Sequence, residues 1–225
     1  QNVTNSDTTS STIATEGNVE MSSDGNSLIY NEVDLVVVVV PMEGTFMCPA
    51  GVGADTKIST LAFATNCQHD QLDRPTVGYT GICFGPLDPE NNSTKANTRR
   101  FLTMAHELTH VLGMNSNDIP FFYSHATEKP RTPRDQWNRP PISQNVPCVD
   151  GTIKNDVTTA SDNTMKQVTT ANGQIAYEIA TETVANVVRN QFNCQRLTGA
   201  RLENQPTAEN DCFGSHWDQV SRLNN

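Results

Sequence analysis

The sequence predicts an α+β fold, with a twisted mixed sheet, a long helix after it and a loop-rich second half. Three observations support this prediction. Val33 to Val40 is a nearly continuous β-branched run, which is typical of a strand inside a sheet. Arg99 to Leu112 contains neither glycine nor proline, which favours a helix. Between Pro120 and Pro147 there are six prolines and no hydrophobic periodicity, which indicates an irregular segment.

The predicted sheet comes first in the chain. Residues 1–27 are rich in Ser, Thr, Asn and Asp, so we expect a flexible lead-in. The β-branched run ends at Pro41, and a glycine-containing loop over residues 43–57 follows it. Ser59 to Thr65 and Thr76 to Phe84 are short apolar and β-branched runs of the kind that forms strands.

The helix predicted at Arg99 to Leu112 has recognisable ends. Thr98 is the expected N-cap, because its hydroxyl can accept a hydrogen bond from a free N–H group of the first turn. Gly113 is expected to adopt the left-handed conformation that ends many helices. Apolar residues recur at steps of three and four and predict the face that packs on the core. They are Phe101, Leu102, Ala105, Leu108, Val111 and Leu112.

The second half contains one clear hairpin and one helix. Asn172-Gly173 predicts a tight turn between strands at Met165 to Thr170 and Gln174 to Ala180. Thr181 is then expected to cap a helix at Glu182 to Phe192.

Composition excludes some classes of function. Lys and Arg total 15 against 25 acidic residues, and this net charge of −10 disfavours binding to nucleic acid or anionic membranes. No apolar run is long enough to cross a bilayer, although a membrane anchor could lie outside the chain. Six cysteines, none in a C-x-x-C pair, indicate disulfides. With sequons at Asn2, Asn91 and Asn92 they predict an extracellular or cell-surface glycoprotein.

His106, Glu107 and His110 form an H-E-x-x-H motif inside the predicted helix. Residues four apart lie on the same face of a helix, so the two imidazoles can bind one Zn²⁺. Glu107 lies beside them, where its carboxylate can accept a proton from a zinc-bound water. The motif therefore predicts a zinc-dependent peptidase.

Two histidines do not complete a catalytic zinc site, which usually has three protein ligands and a water. In the compact pattern H-E-x-x-H-x-x-G-x-x-H the third ligand follows the glycine by three residues, and that position here is Ser116. The predicted hairpin disfavours an acidic ligand on a second helix, because it puts Glu178 on a strand. The candidates are His69, His125, His216 and Glu178.

Several stretches outside the motif also carry a recognisable pattern. They are Leu61 to Cys67, Arg74-Pro75 with Gly78, Val184 to Cys194, Leu202 to Gln205 and Gly214 to Trp217. Together with the motif, and in this order, they resemble the leishmanolysin family of surface zinc metalloproteases, in which a long insertion separates H-E-x-x-H-x-x-G from the third histidine. The similarity covers about residues 30–218. The resemblance implies a metzincin-like catalytic domain with His106, His110 and His216 as Zn²⁺ ligands and Glu107 as the base.

Two features depart from the family pattern. The 102 residues between Gly113 and His216 exceed the family's insertion, and we expect the excess in the proline-rich segment and the hairpin. The family's Met-containing turn follows the third histidine, whereas all six methionines here precede His216. We therefore expect residues 28–113 to form the catalytic subdomain with the zinc helix. Residues 114–225 are expected to hold the insertion and the start of a C-terminal subdomain that is truncated before the Met-turn, and the family's pro-segment is also not seen.

The sequence thus predicts an endopeptidase that hydrolyses extracellular proteins or peptides, with an extended substrate aligned on a sheet edge by β-pairing. One alternative is a catalytically silent surface scaffold or adhesion protein that retains the motif. Another is a zinc peptidase that uses Glu178 as its third ligand. Proximity in the chain predicts the disulfides Cys48–Cys67 and Cys194–Cys212.

Overall fold

A computed structural model of the chain describes residues 11–14, 18–21, 28–31, 33–45, 47–48, 60–203 and 212–218. The chain divides into two compact units, residues 1–113 and 114–225, and each is presented by itself. Both units contain helices and strands, so the α+β class is confirmed. The predicted lead-in and the loop over residues 43–57 fall largely outside the described residues, although the lead-in contains two short strands.

The first unit is built on a mixed sheet with the strand order β1-β4-β6-β5. Strand β4 pairs antiparallel with β1 and parallel with β6, and β5 pairs antiparallel with β6. A separate hairpin joins β2 and β3. The strands are β1 Ser11–Ala14, β2 Asn18–Met21, β3 Leu28–Asn31, β4 Val36–Pro41, β5 Ala62–His69 and β6 Pro75–Ile82. The helices are α1 Phe84–Leu87 and α2 Thr94–Val111.

The three strands predicted for the sheet are present, with two differences. The β-branched run lies inside the sheet as β4, but only Val36 of this strand is buried and the rest is half-buried. The second strand begins at Ala62 and runs on to His69, because its pairing with β6 continues past a bulge near Gln68. The third strand is confirmed as β6.

A disulfide joins Cys48 to Cys83, so the predicted Cys48–Cys67 pair is wrong. Cys83 is fully buried immediately after β6, and its backbone N–H donates to the Leu61 carbonyl. Cys67 carries a free thiol on an exposed part of β5. Sheet pairing therefore decides which cysteine meets Cys48, and distance along the chain does not.

Helix α2 begins five residues earlier than predicted. Its N-cap is Ser93, whose Oγ accepts a hydrogen bond of 3.3 Å from Ala96 N, so the predicted cap at Thr98 is wrong. The Arg100 guanidinium donates to the carbonyls of Asp88 and Asn91 and so fixes the preceding loop to the helix. Gly113 follows with φ +102° and donates from its N–H to the His110 carbonyl, as predicted.

The predicted apolar face of α2 is only partly confirmed: Val111 is buried and Ala105 is half-buried, whereas the four other predicted residues are exposed. Phe101 and Leu112 are 71% and 63% exposed, and Leu102 and Leu108 are exposed as well. The buried residues are Glu107, His110 and Val111, and α2 packs on β5 and β6. The helix therefore buries Glu107 and His110 of the motif together with Val111, and a glycine on β6 gives room for the Val111 side chain.

Gly78 is the point of closest approach between β6 and α2. A Cβ atom at this position would lie 2.3 Å from Cγ1 of Val111, which is fully buried. We therefore expect Gly78→Ala to overpack the contact and lower the free energy of unfolding by about 1–3 kcal/mol. Thermal or urea denaturation measures this change.

A double-mutant cycle separates the clash from other effects of the substitution. Val111→Ala alone should destabilise the protein by leaving a cavity. Combined with Gly78→Ala, it should cost less than the sum of the two single changes, because the clashing methyl group is gone. Additive costs would mean that Gly78 is required for another reason.

The described residues of the second unit form short hairpins, one three-stranded sheet and one α-helix. Its strands are β7 Tyr123–Ser124, β8 Lys129–Pro130, β9 Ile142–Ser143, β10 Val146–Pro147, β11 Ile153–Lys154, β12 Val157–Thr158, β13 Met165–Thr169, β14 Ile175–Ile179 and β15 Ala200–Arg201. A 3₁₀ turn covers Ile119–Phe121, and α3 covers Glu182–Gln191. None of the helices in the described part of the chain is long and apolar enough to cross a membrane.

The hairpin and helix predicted for the second unit are confirmed. Strands β13 and β14 pair antiparallel, and Gly173 in their turn has φ +84°. The Thr181 hydroxyl caps α3 by accepting from Val184 N. A disulfide joins Cys148 to Cys212 and replaces the predicted Cys194–Cys212 pair, and Cys194 carries a free thiol. The core of the unit consists of Ile119, Val146, Cys148, Met165, Tyr177, Ile179, Leu202, Cys212 and Phe213.

Candidate functional site

Helix α2 brings two predicted zinc ligands together. The Nε2 atoms of His106 and His110 lie 3.1 Å apart, and their rings are nearly perpendicular, at 81°. His106 is exposed, whereas His110 is 8% exposed. The pair therefore extends from the protein surface into the interior of the first unit.

The geometry of this pair fits a zinc ion. A Zn–N bond of about 2.0–2.1 Å at a tetrahedral angle puts two ligand nitrogens about 3.3 Å apart. The observed distance of 3.1 Å between the two Nε2 atoms is close to this value. Imidazole nitrogens are also among the ligand atoms that Zn²⁺ prefers.

Glu107 lies between these histidines in the chain and is 6% exposed. A carboxylate is rarely buried without a partner, because removal from water disfavours its charged form. Helix α2 thus carries a buried carboxylate, a group that can act as an acid or a base, in the same motif as the two imidazoles.

The structure of the second unit fixes the segment that carries His216. The Cys148–Cys212 disulfide holds its start, and the Phe213 ring packs on Tyr177 with 5.0 Å between ring centroids. Asp218 N donates to the Arg201 carbonyl at the other end. The imidazole is thus carried by a short, well-anchored turn of residues 212–218 that we name the histidine loop.

The histidine loop is also bonded to the residue that stands where the compact zinc pattern has its third histidine. Ser116 is buried, and its N–H donates to Ser215 Oγ at 3.0 Å. A contact across 99 residues of chain therefore puts Ser116 beside the neighbour of His216. Ser116 and Ser215, which lie near the two ends of the long insertion in the sequence, are therefore hydrogen-bonded to each other.

The motif did not indicate Glu203, which contacts His216 in the structure. Its Oε1 lies 2.6 Å from His216 Nδ1, and it also accepts from the backbone N–H groups of Ser215 and His216. A signal was present in the sequence, because Glu203 belongs to one of the stretches that resemble the leishmanolysin family.

The other candidate ligands lie in different surroundings. His69 is exposed at the end of β5, and His125 is exposed in the turn between β7 and β8. Glu178 lies on β14, where its Oε2 accepts from the Thr198 hydroxyl. Glu178 thus lies on a strand, as the predicted hairpin implied, and the second helix that would present an acidic ligand at this position is absent.

Comparison with curated proteins finds relatives of one kind. The chain is 29% identical over 164 residues to a protein of Caenorhabditis elegans named leishmanolysin-like peptidase. The aligned region covers 71% of this chain and 23% of that protein. Proteins of the same name in Caenorhabditis briggsae and Drosophila melanogaster are each 31% identical, over 150 and 158 residues. Each of these two matches covers 65% of this chain, and they cover 22% and 21% of the relatives. The chain thus spans about a fifth of the length of the relatives it matches, and no family model matches it.

Proposed function

Because this chain belongs to the leishmanolysin-like family, we propose that it carries the catalytic centre of a zinc-dependent endopeptidase. The observation that carries the proposal is the pair of Nε2 atoms 3.1 Å apart on α2, with the buried carboxylate of Glu107 between them in the chain. His106 and His110 are the proposed zinc ligands, and Glu107 is the proposed general base. The substrates are proteins or peptides, as the name of the relatives indicates.

The proposed chemistry divides between the metal and the chain. When bound, Zn²⁺ supplies Lewis-acid polarisation of the scissile carbonyl and lowers the pKa of water. Glu107 accepts the proton of the attacking water and passes it to the departing amine. Burial of this carboxylate limits its contact with bulk water.

We propose His216 as the third ligand. Two contacts support this assignment: the bond between Ser116 and Ser215, and the bond between His216 Nδ1 and Glu203. The first bond joins the histidine loop to Ser116, which lies six residues after His110 in the sequence. The second engages one ring nitrogen with a carboxylate, which is how metal-binding histidines are usually oriented.

We further propose a metzincin-like domain in which strand β5 receives the substrate. Strand β5 forms one edge of the described sheet, and α2 packs directly against it. An edge strand offers unpaired N–H and C=O groups, so an extended peptide can add to it by β-pairing.

An extracellular or cell-surface location agrees with the two disulfides. Asn91 and Asn92, each the first residue of a sequon, are both exposed. These features support a secreted glycoprotein, since disulfides and N-linked glycans are both added in oxidising compartments.

Hydrolysis of an unfolded protein such as casein tests the proposed activity. We expect the protein that contains this chain to cleave it, to lose the activity when o-phenanthroline removes the metal, and to regain it with added Zn²⁺. His106→Ala should abolish the activity, whereas the matched variant His125→Ala, in an exposed turn, should retain it. Tight zinc binding without any turnover would instead favour the silent scaffold.

A further inference from the structure

Three hydrogen-bond donors of the histidine loop converge on one oxygen atom. Glu203 Oε1 accepts from Ser215 N at 3.1 Å and from His216 N at 3.2 Å, and it lies 2.6 Å from His216 Nδ1. Because an ionised carboxylate can only accept, the imidazole Nδ1–H is the donor in this third contact. The shortest of the three is the bond to the imidazole, as expected for a charge-assisted hydrogen bond. The carboxylate therefore fixes both the backbone of the loop and the orientation of its ring.

The backbone holds Glu203 in place for this contact. Glu203 N donates to the His216 carbonyl at 2.8 Å, and Leu202 forms an antiparallel bridge with Trp217. The chain at 202–203 thus runs beside the chain at 216–217, in continuation of β15. Leu202 is fully buried in the core of the unit, so this alignment does not depend on exposed side chains.

Gly214 opens the path that the carboxylate takes. A Cβ atom at this position would lie 2.0 Å from Glu203 Cγ and 2.5 Å from its carboxyl carbon. Any other residue at 214 would displace the Glu203 side chain from the loop. The absence of a side chain at Gly214 therefore lets the Glu203 carboxylate pass the backbone of the loop and reach the His216 imidazole.

We propose that Glu203 is the positioning residue of the metal centre: by accepting the Nδ1–H of His216, it selects the tautomer whose Nε2 lone pair binds the metal. A neutral imidazole has one N–H donor and one acceptor nitrogen, so a bond that engages Nδ1–H leaves Nε2 as the metal-binding atom. This inference rests on the proposed function, because it takes His216 as a zinc ligand.

The metal-free protein provides the first test, which does not depend on zinc. Long-range ¹H–¹⁵N spectra of the imidazole nitrogens distinguish the two neutral tautomers, and the wild-type protein should show the His216 proton on Nδ1. Glu203→Ala removes the acceptor and should shift the population towards the Nε2–H form. A wild-type protein with the proton on Nε2, or a variant with an unchanged tautomer, would overturn the proposal.

The second test is the affinity for Zn²⁺, measured by competition with a chromophoric chelator. Glu203→Gln keeps the shape and an acceptor oxygen but loses the charge, and it should weaken zinc binding by about 10-fold, with Glu203→Ala nearer 100-fold. Glu182→Gln removes an exposed carboxylate in the first turn of α3 and should leave the affinity unchanged. Melting temperatures identify variants that are folded.

The outcomes separate this inference from the proposed function. If the wild-type protein binds zinc and folded Glu203 variants bind it equally well, the inference fails and the zinc site stands. If the wild-type protein binds no zinc, the proposed function fails, whereas the tautomer measurement still decides whether Glu203 orients the ring.

Discussion

Glu107→Gln should abolish peptide hydrolysis while zinc stays bound. Glutamine has nearly the same shape as glutamate but cannot accept the proton of the attacking water, so we expect kcat to fall by about 100- to 10,000-fold. His106 and His110, whose Nε2 atoms lie 3.1 Å apart, are unchanged in this variant. The zinc stoichiometry should therefore equal that of the wild-type protein. Steady-state kinetics and metal analysis on the same samples measure both quantities.

Glu90→Gln is the matched control, because Glu90 is exposed in the loop before α2 and lies outside the motif. It should keep full activity. If Glu107→Gln were as active as this control, Glu107 would not be the general base. If Glu107→Gln lost its zinc, the buried carboxylate would have a role in holding the metal-binding pair.

His216→Ala should remove most of the zinc from the protein. Loss of a residue that is hydrogen-bonded to a metal ligand lowers metal affinity by about 10–100-fold. Loss of the ligand itself should therefore weaken binding by more than about 100-fold. The wild-type protein is expected to bind one zinc per chain. Inductively coupled plasma analysis after dialysis against a weak chelator measures the ratio.

His69→Ala serves as the control for this experiment, since His69 is an exposed histidine on β5. It should retain the wild-type zinc content. Equal zinc in His216→Ala and in the control would discard His216 as a ligand. The pair on α2 would then need its third ligand from another residue, and the role proposed for Glu203 would lose its basis.

Interactions between residues close in the chain were predictable. Thr181 caps α3, Gly113 ends α2 and Gly173 forms the hairpin turn, each as the sequence indicates. In each case the relevant hydrogen bond or backbone angle involves neighbours within about four residues. The H-E-x-x-H spacing belongs to the same class, because helical geometry alone brings His106 next to His110.

The N-cap of α2 could not be predicted from neighbouring residues alone. Ser93 and Thr98 are both capable of capping, and nothing local separates them. Arg100 decides between them, because its guanidinium binds the carbonyls of the loop that ends at Ser93. The apolar periodicity of the helix predicted the burial of Val111 but not that of Glu107 and His110, because Gly78 gives Val111 room to pack and the helix buries these two polar residues with it.

By itself, the sequence determined the α+β class, the helix that carries the motif, the hairpin and the likeness to leishmanolysin, because these depend on local spacing and residue type. The tertiary structure alone decided which cysteines pair, which face of α2 is buried and which carboxylate meets His216. Those contacts join residues brought together by sheet pairing and core packing, as between Cys48 and Cys83 or Ser116 and Ser215. Which residues meet in such contacts depends on the path of the whole chain. A short motif contains no information about residues far from it in the sequence.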